Sequence, residues 1–173
     1  MELAIEQKPR NGSADGAVQG EVQQFLTFSL ADEEYGVNIL KVQEIKGWTP
    51  VTRIPNSPEY LRGVLNLRGT IVPIIDLRMR FNQPRVEYTP LTVVIVLSVA
   101  TAAGARTIGI VVDSVSDVLN VGISEIKPTP NLGSKINTEF INGIAAANTK
   151  MIMLLDSDKL LTSDELAQLQ AVH

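Results

Sequence analysis

Few residue types that perform chemistry are present in this sequence. Among its 173 residues there is no Cys, and the single His is His173. That excludes a cysteine nucleophile, a Cys/His zinc site, a Ser-His-Asp triad inside the fold and an internal imidazole acid or base. Carboxylate, Lys, Ser/Thr and Tyr chemistry remain. Asp76, Asp113, Asp117, Asp156 and Asp158 could pair as general acid and base or hold a hard cation. None has the spacing of a calcium loop, and each stands at an expected strand end or turn, where Asp is favoured for local hydrogen bonding. No phosphate loop, dinucleotide fingerprint, HExxH or Asp-Thr-Gly signature occurs. A carboxylate-dependent hydrolase using Asp76 or Asp113 is therefore the minor alternative, and no catalytic residue, metal or cofactor is expected.

Charge points to binding instead. The net charge is −4, yet six of the eight arginines (Arg53, Arg62, Arg68, Arg78, Arg80, Arg85) lie in one stretch with only Glu59 and Asp76. That stretch is +4 and the remainder −8. Guanidinium groups pair bidentately with carboxylates and phosphates, so the stretch is either a partner surface or a solvated face. Nucleic acid is disfavoured, because the protein is acidic overall and no aromatic residues alternate with the cations to stack bases.

Three features invite a partner. Arg68 stands beside Gly69 at an expected hairpin tip among aliphatic residues, a costly place for a cation unless its head reaches an acceptor. Glu44 lies close to Val42, and Val42 with Ile39 forms an apolar patch beside these charges. Such an arrangement accepts an amphipathic helix in a groove. The plainer alternatives are a satisfied turn residue for Arg68, a solvated Glu44, and core roles for Ile39 and Val42.

These residues need elements to hold them. The chain has 18 Val, 16 Ile and 18 Leu against 4 Phe, 3 Tyr and 1 Trp, and β-branched side chains favour sheet. Strands are expected from Val22 to Leu30, from Tyr35 after a turn at Ala31–Glu34, and over LTVVIVLSV, RTIGIVVD and Val115–Val121. Val64–Leu77 reads as a hairpin with Arg68-Gly69 at its tip, and Pro73 marks an edge or bulge. A last hairpin joins EFINGIAAA to MIMLLD. Short helices are expected where Asn38 caps a segment carrying Ile39, Val42 and Ile45, after Ser57-Pro58 with Gly63 closing the turn, and over Leu77–Asn82. Thr162 with Glu165 forms a capping box, and Leu161 with Leu166 the matching staple. Tight turns between strands argue for small antiparallel barrels over a parallel α/β sheet.

Residues 1–21 lack periodicity and read as a disordered leader. No secretory signal is present, no apolar run approaches the roughly 20 residues of a membrane span, and absence of Cys fits a reducing compartment. A cytoplasmic protein is expected.

Three runs then become recognisable: EEYGVNILKVQEI, VTRIPNSPEYLRGVLNLRGTIVPIIDLR and TIGIVVDSVSDVLNV. Together they resemble the CheW family of bacterial chemotaxis coupling proteins over about Val22 to Leu169. The most specific run is GVLNLRGTIVPIIDLR, with Gly63, Asn66, Arg68, Gly69, Pro73 and Asp76 in the family pattern. The resemblance implies a mainly β fold: two five-stranded SH3-like β barrels packed around a shared core, with short helices and a C-terminal helix from about residue 162. It implies a domain over 22–171 made of two intertwined barrels, with no catalysis.

It also implies partners, namely the cytoplasmic tips of methyl-accepting chemoreceptors and the regulatory domain of the histidine kinase CheA. The protein would then sit in the cytoplasm at receptor arrays on the inner face of the membrane, without inserting into it. By the same resemblance the receptor-binding positions are Val42, Glu44 and Arg68, with Ile39, Leu26 and Val115 as apolar lining. For the kinase, Leu132 matches a ring contact, and Ile54 and Ile71 stand at the first interface or in the core. A coupling module of a different chemosensory pathway, such as one for surface motility, is the alternative within the same class.

Overall fold

The computed structural model describes residues 21–84, 86–102, 104–129, 138–147, 150–161 and 165. Eleven strands are found among them. The first two, β1 (Val22–Leu30) and β2 (Glu33–Asn38), are joined by a tight turn in which Ala31 and Asp32 take positive φ. A 3-10 turn, Ile39–Lys41, leads to β3 (Val42–Gly47). The hairpin of β4 (Leu61–Leu67) and β5 (Thr70–Asp76) follows, then the one-turn helix α1 (Leu77–Arg80). Next come β6 (Val93–Thr101), β7 (Gly104–Val112) and β8 (Ser114–Gly122). The last strands are β9 (Ile126–Lys127), β10 (Ile141–Ala147) and β11 (Lys150–Leu155).

They form a six-stranded sheet in the order β9-β10-β11-β2-β1-β8 and a five-stranded sheet in the order β3-β6-β7-β5-β4. The fold class expected from the sequence is thus found, with one sheet a strand larger. The chain starts in the six-stranded sheet, crosses at Ile39–Lys41, builds the whole five-stranded sheet and returns. A parallel pairing of Met153 with Tyr35 and Leu154 with Gly36 sews the returning chain to its start.

Alternation along the strands sorts the apolar residues into three clusters. In β1, Phe25 faces the filling of the six-stranded sheet, while Leu26, Phe28 and Leu30 face the other sheet. In β6, Val94 and Val96 fill the five-stranded sheet, whereas Ile95, Leu97 and Val99 join Leu26, Phe28 and Val37 in the shared core. β7 and β11 divide in the same way. Each sheet is therefore apolar on both faces, which explains the near-continuous runs VVIVLSV and MIMLL. The sheets also close on themselves. The edge strands β8 and β9 are joined directly through Ile123–Glu125. On the five-stranded side, Thr52 after β3 exchanges two backbone hydrogen bonds with Val64 of the opposite edge strand.

Gly63 makes that closure possible. Its φ is +149, and a Cβ there would run into the Thr52 carbonyl oxygen, so only glycine lets the two backbones approach. It is a strand residue at an irregularity in the β4–β5 register, not the end of a helix. The expected cap at Ser57 is also absent: its hydroxyl donates to the Ile54 carbonyl at 2.7 Å, and the segment forms turns. Pro73 lies in an interior strand, but pairing of β5 with β7 begins only at Ile74, so its missing N–H leaves no gap in that ladder.

The expected helix over Ile39–Lys46 is a 3-10 turn followed by a strand. Asn38 does cap the turn, its Oδ1 accepting from the Leu40 N–H at 2.9 Å. Beyond it, β3 pairs with β6 through a bulge between Val42 and Glu44. The inserted Gln43 puts Val42 and Ile45 on one face of a strand at a spacing of three, which imitates a helix in sequence. The expected leader falls outside the described residues except for Glu21. So does the C-terminal helix except for Glu165, which is helical.

Candidate functional site

Arg68 and Gly69 form the β4–β5 tip with φ of 52° and 88°, the left-handed pair that a two-residue hairpin turn requires. Asn66 Oδ1 accepts from the Gly69 N–H at 2.9 Å and fixes the turn. Held there, Arg68 reaches across the seam of the five-stranded sheet, and its Nη2 lies 2.6 Å from Glu44 Oε1. The Arg68 side chain is 78% exposed and that of Glu44 29%. Arg68 is therefore not a buried cation in search of an acceptor; it is displayed, with an acceptor already in place. Arg68 also lines a cavity of about 300 Å³, together with polar Gln43, Thr70 and Thr107 and apolar Leu67, Val72 and Val96.

Glu44 is opposite Val96 and so faces the filling of the five-stranded sheet, while its neighbours in β3 face the shared core. Val42 pairs with Leu97, is half-buried and packs on the shared core, as do Ile39 and Val115. Ile45 lies on the Val42 face opposite Ile95 and is 44% exposed. It continues that face and was not named among the candidates, although the expected helix already set it on one face with Ile39 and Val42. Leu26 is different. It is 3% exposed, pairs with Val37 and Val118, and forms core beneath the surface. Ile54 is half-buried on the shared core, while Ile71 is 39% exposed on the outer face of β5. Leu132 lies outside the described residues.

The arginine stretch does not form one surface. Arg78 donates from Nε and Nη2 to the two oxygens of Asp113 at 2.9 and 2.6 Å, and Asp113 also accepts from the Ala31 N–H. Burial pulls the Asp113 carboxyl up, but Arg78 and the Ala31 N–H outweigh it and leave the group below the usual carboxylate range. Arg80 is clamped between the rings of Tyr60 and Phe140, at 4.5 and 4.7 Å, and donates to the Leu160 carbonyl at 2.6 Å. These two join the sheets to each other; they do not await a partner. Arg85 lies outside the described residues.

The carboxylates proposed for catalysis are likewise engaged in structure. Asp76 is 2% exposed, caps α1 through the Met79 N–H and accepts from the Tyr88 hydroxyl at 2.7 Å. Among the described residues no group of three or more His, Cys, Asp or Glu is placed to hold a metal, and no helix is long and apolar enough to cross a membrane.

The motif that builds this site lies in a segment with a family signature. Residues 24–165 match the model of the CheW-like domain. The chain belongs to the CheW family. Its relatives include the chemotaxis protein CheW of Klebsiella aerogenes, 52% identical over 84% of this chain and 85% of that one. The protein of the same name from Rhizobium meliloti is 39% identical over 83% and 90%. Protein FrzA of Myxococcus xanthus is 29% identical over 80% and 85%. Among solved structures, the scaffolding protein TtCheW from Thermoanaerobacter tengcongensis matches with a TM-score of 0.76 at 32% identity, covering 84% of this chain and 96% of that one.

Proposed function

We propose that this chain is a noncatalytic adaptor that couples transmembrane chemoreceptors to the histidine kinase CheA in bacterial chemotaxis. The observation that carries the reading is the Arg68–Glu44 pair, held on the strand that also carries half-buried Val42 and exposed Ile45, with half-buried Ile39 in the turn before it. An amphipathic helix from a receptor tip would bury its apolar face on this apolar strip and take its register from the paired charges. Val115 belongs to the same apolar margin, and Leu26 supports it from below.

The kinase regulatory domain would bind elsewhere, with Ile71 as an exposed contact, Ile54 as a half-buried one, and Leu132 at a second contact. The unit that does this is the domain over 22–171, working in the cytoplasm at receptor arrays. A coupling module of a different chemosensory pathway is the alternative within the same class. Solution mapping with a soluble receptor-tip hairpin tests the reading. Perturbation is expected at Ile39, Val42, Glu44, Ile45 and Arg68; perturbation confined to other residues, or none, would refute it.

A further inference from the structure

One carboxylate joins three distant parts of the chain. Lys41 Nζ donates to Asp158 Oδ1 and Oδ2 at 2.9 and 3.1 Å, and the Ala100 N–H donates to Oδ1 at 2.9 Å. Lys41 belongs to the 3-10 turn at which the chain crosses between the sheets, and Ala100 is near the end of β6 in the five-stranded sheet. Asp158 lies in the turn Ser157–Lys159 that follows β11 of the six-stranded sheet.

The turn carrying Lys41 has little else to hold it. None of its three residues is buried; Leu40 is 89% exposed. Asn38 caps it, and Ile39 only partly packs on the shared core. A cavity of about 330 Å³ beside it, lined in part by Val37, Asn38, Lys41, Leu155 and Asp158, leaves room for the turn to shift. With both side chains 35% exposed, the ion pair adds little to global stability, which the large shared core supplies. What it does control is where this short segment stands. Ile39 and Val42 flank the tied segment and belong to the proposed receptor strip.

We propose that Asp158 is a positioning residue for receptor binding: by tying Lys41 to the end of β6, it fixes the placement of Ile39 and Val42. This rests on the receptor reading above. The test uses the full chain, titrated separately with a soluble receptor-tip hairpin and with the CheA regulatory domain. Asp158→Asn keeps an oxygen for the Ala100 N–H but removes the charge, and should weaken tip binding about threefold. Asp158→Ala removes both ties and should weaken it about tenfold, with faster hydrogen exchange at the Ala100 amide. Asp158→Glu should bind the tip like the parent protein, and kinase-domain affinity should stay unchanged in all three.

Unchanged tip affinity in Asp158→Ala would overturn the inference. So would parallel loss of both partners in Asp158→Asn, the mark of a merely structural role; that variant also decides the matter should Asp158→Ala fail to fold. If the parent protein itself bound the kinase domain but not the tip, the receptor reading would fail and take the inference with it, an outcome distinct from the other two.

Discussion

Arg68 Nη2 and Glu44 Oε1 meet at 2.6 Å although 24 residues separate them. The contact links the tip of the β4–β5 hairpin to β3, the strand at the opposite edge of the same sheet. At the other end of that seam, the edges are joined by backbone hydrogen bonds between Thr52 and Val64. With the guanidinium 78% exposed, the pair contributes little to stability. Its consequence is orientation: two displayed charges have a fixed spacing next to an apolar strip.

Arg68→Ala and Glu44→Ala should therefore separate binding from folding. Receptor-tip affinity should fall about tenfold, in line with the loss of a charge-assisted hydrogen bond. Thermal midpoints should move by no more than a few degrees, and kinase-domain binding should stay intact. Calorimetry alongside thermal unfolding checks this; a collapse of the fold in Arg68→Ala would make the pair structural.

Two glycines in the same hairpin should respond unequally to alanine. At Gly63 a Cβ would collide with the Thr52 carbonyl and Val51, so Gly63→Ala must open the barrel closure at a cost of about 3 kcal/mol. At Gly69 nothing lies within 4 Å of a Cβ, and only the positive φ is unfavourable, costing about 1 kcal/mol. Urea unfolding of both variants measures the difference, and equal losses would contradict the described seam.

Acid should loosen the junction at Asp113. Its carboxyl is held below the usual range because the Arg78 and Ala31 bonds outweigh the effect of burial. A depressed carboxylate contributes stability that is present above its unfolded pKa, about 3.9, and is lost as pH falls through the folded value. Asp113→Asn should accordingly be less stable than the parent at neutral pH, with the gap narrowing below about pH 4. A gap independent of pH would show that the charge of Asp113 is not what matters.

Alkali should act through Tyr35. Burial, assisted by Glu33, pushes its hydroxyl up to about 12. A raised pKa gives stability that is intact below the unfolded value, about 10, and lost as pH rises through the folded one. Tyr35→Phe should remove that part of the alkaline decline while keeping the ring stacked on Phe28, 5.8 Å away. Stability followed from pH 8 upward, with phenolate absorbance as a second signal, tests this; an identical decline in both proteins would refute it.

Much of this architecture was legible because its signals are local. Alternation and the Arg68-Gly69 tip place the β4–β5 hairpin, and the short helix expected over Leu77–Asn82 is found as α1, Leu77–Arg80. The segment after Asn38 was not legible, because a bulged strand puts Val42 and Ile45 three residues apart on one face and so carries the period of a helix. The arginine stretch misled for another reason. Asp113 comes to Arg78 through the pairing of β5 with β7, and Phe140 and Leu160 reach Arg80 only when the chain returns to its first sheet. Arg68 was recognisable as a candidate, yet its link to Glu44 depends on closure of a seam that no sequence window contains.

Two partners on separate surfaces are the core of the account, and sequential calorimetry tests this most directly. The protein would be saturated with the CheA regulatory domain and then titrated with the receptor-tip hairpin. The expected result is a ternary complex in which the tip binds with its full stoichiometry. Displacement of the kinase domain by the tip, or binding of neither partner, would contradict a coupling role.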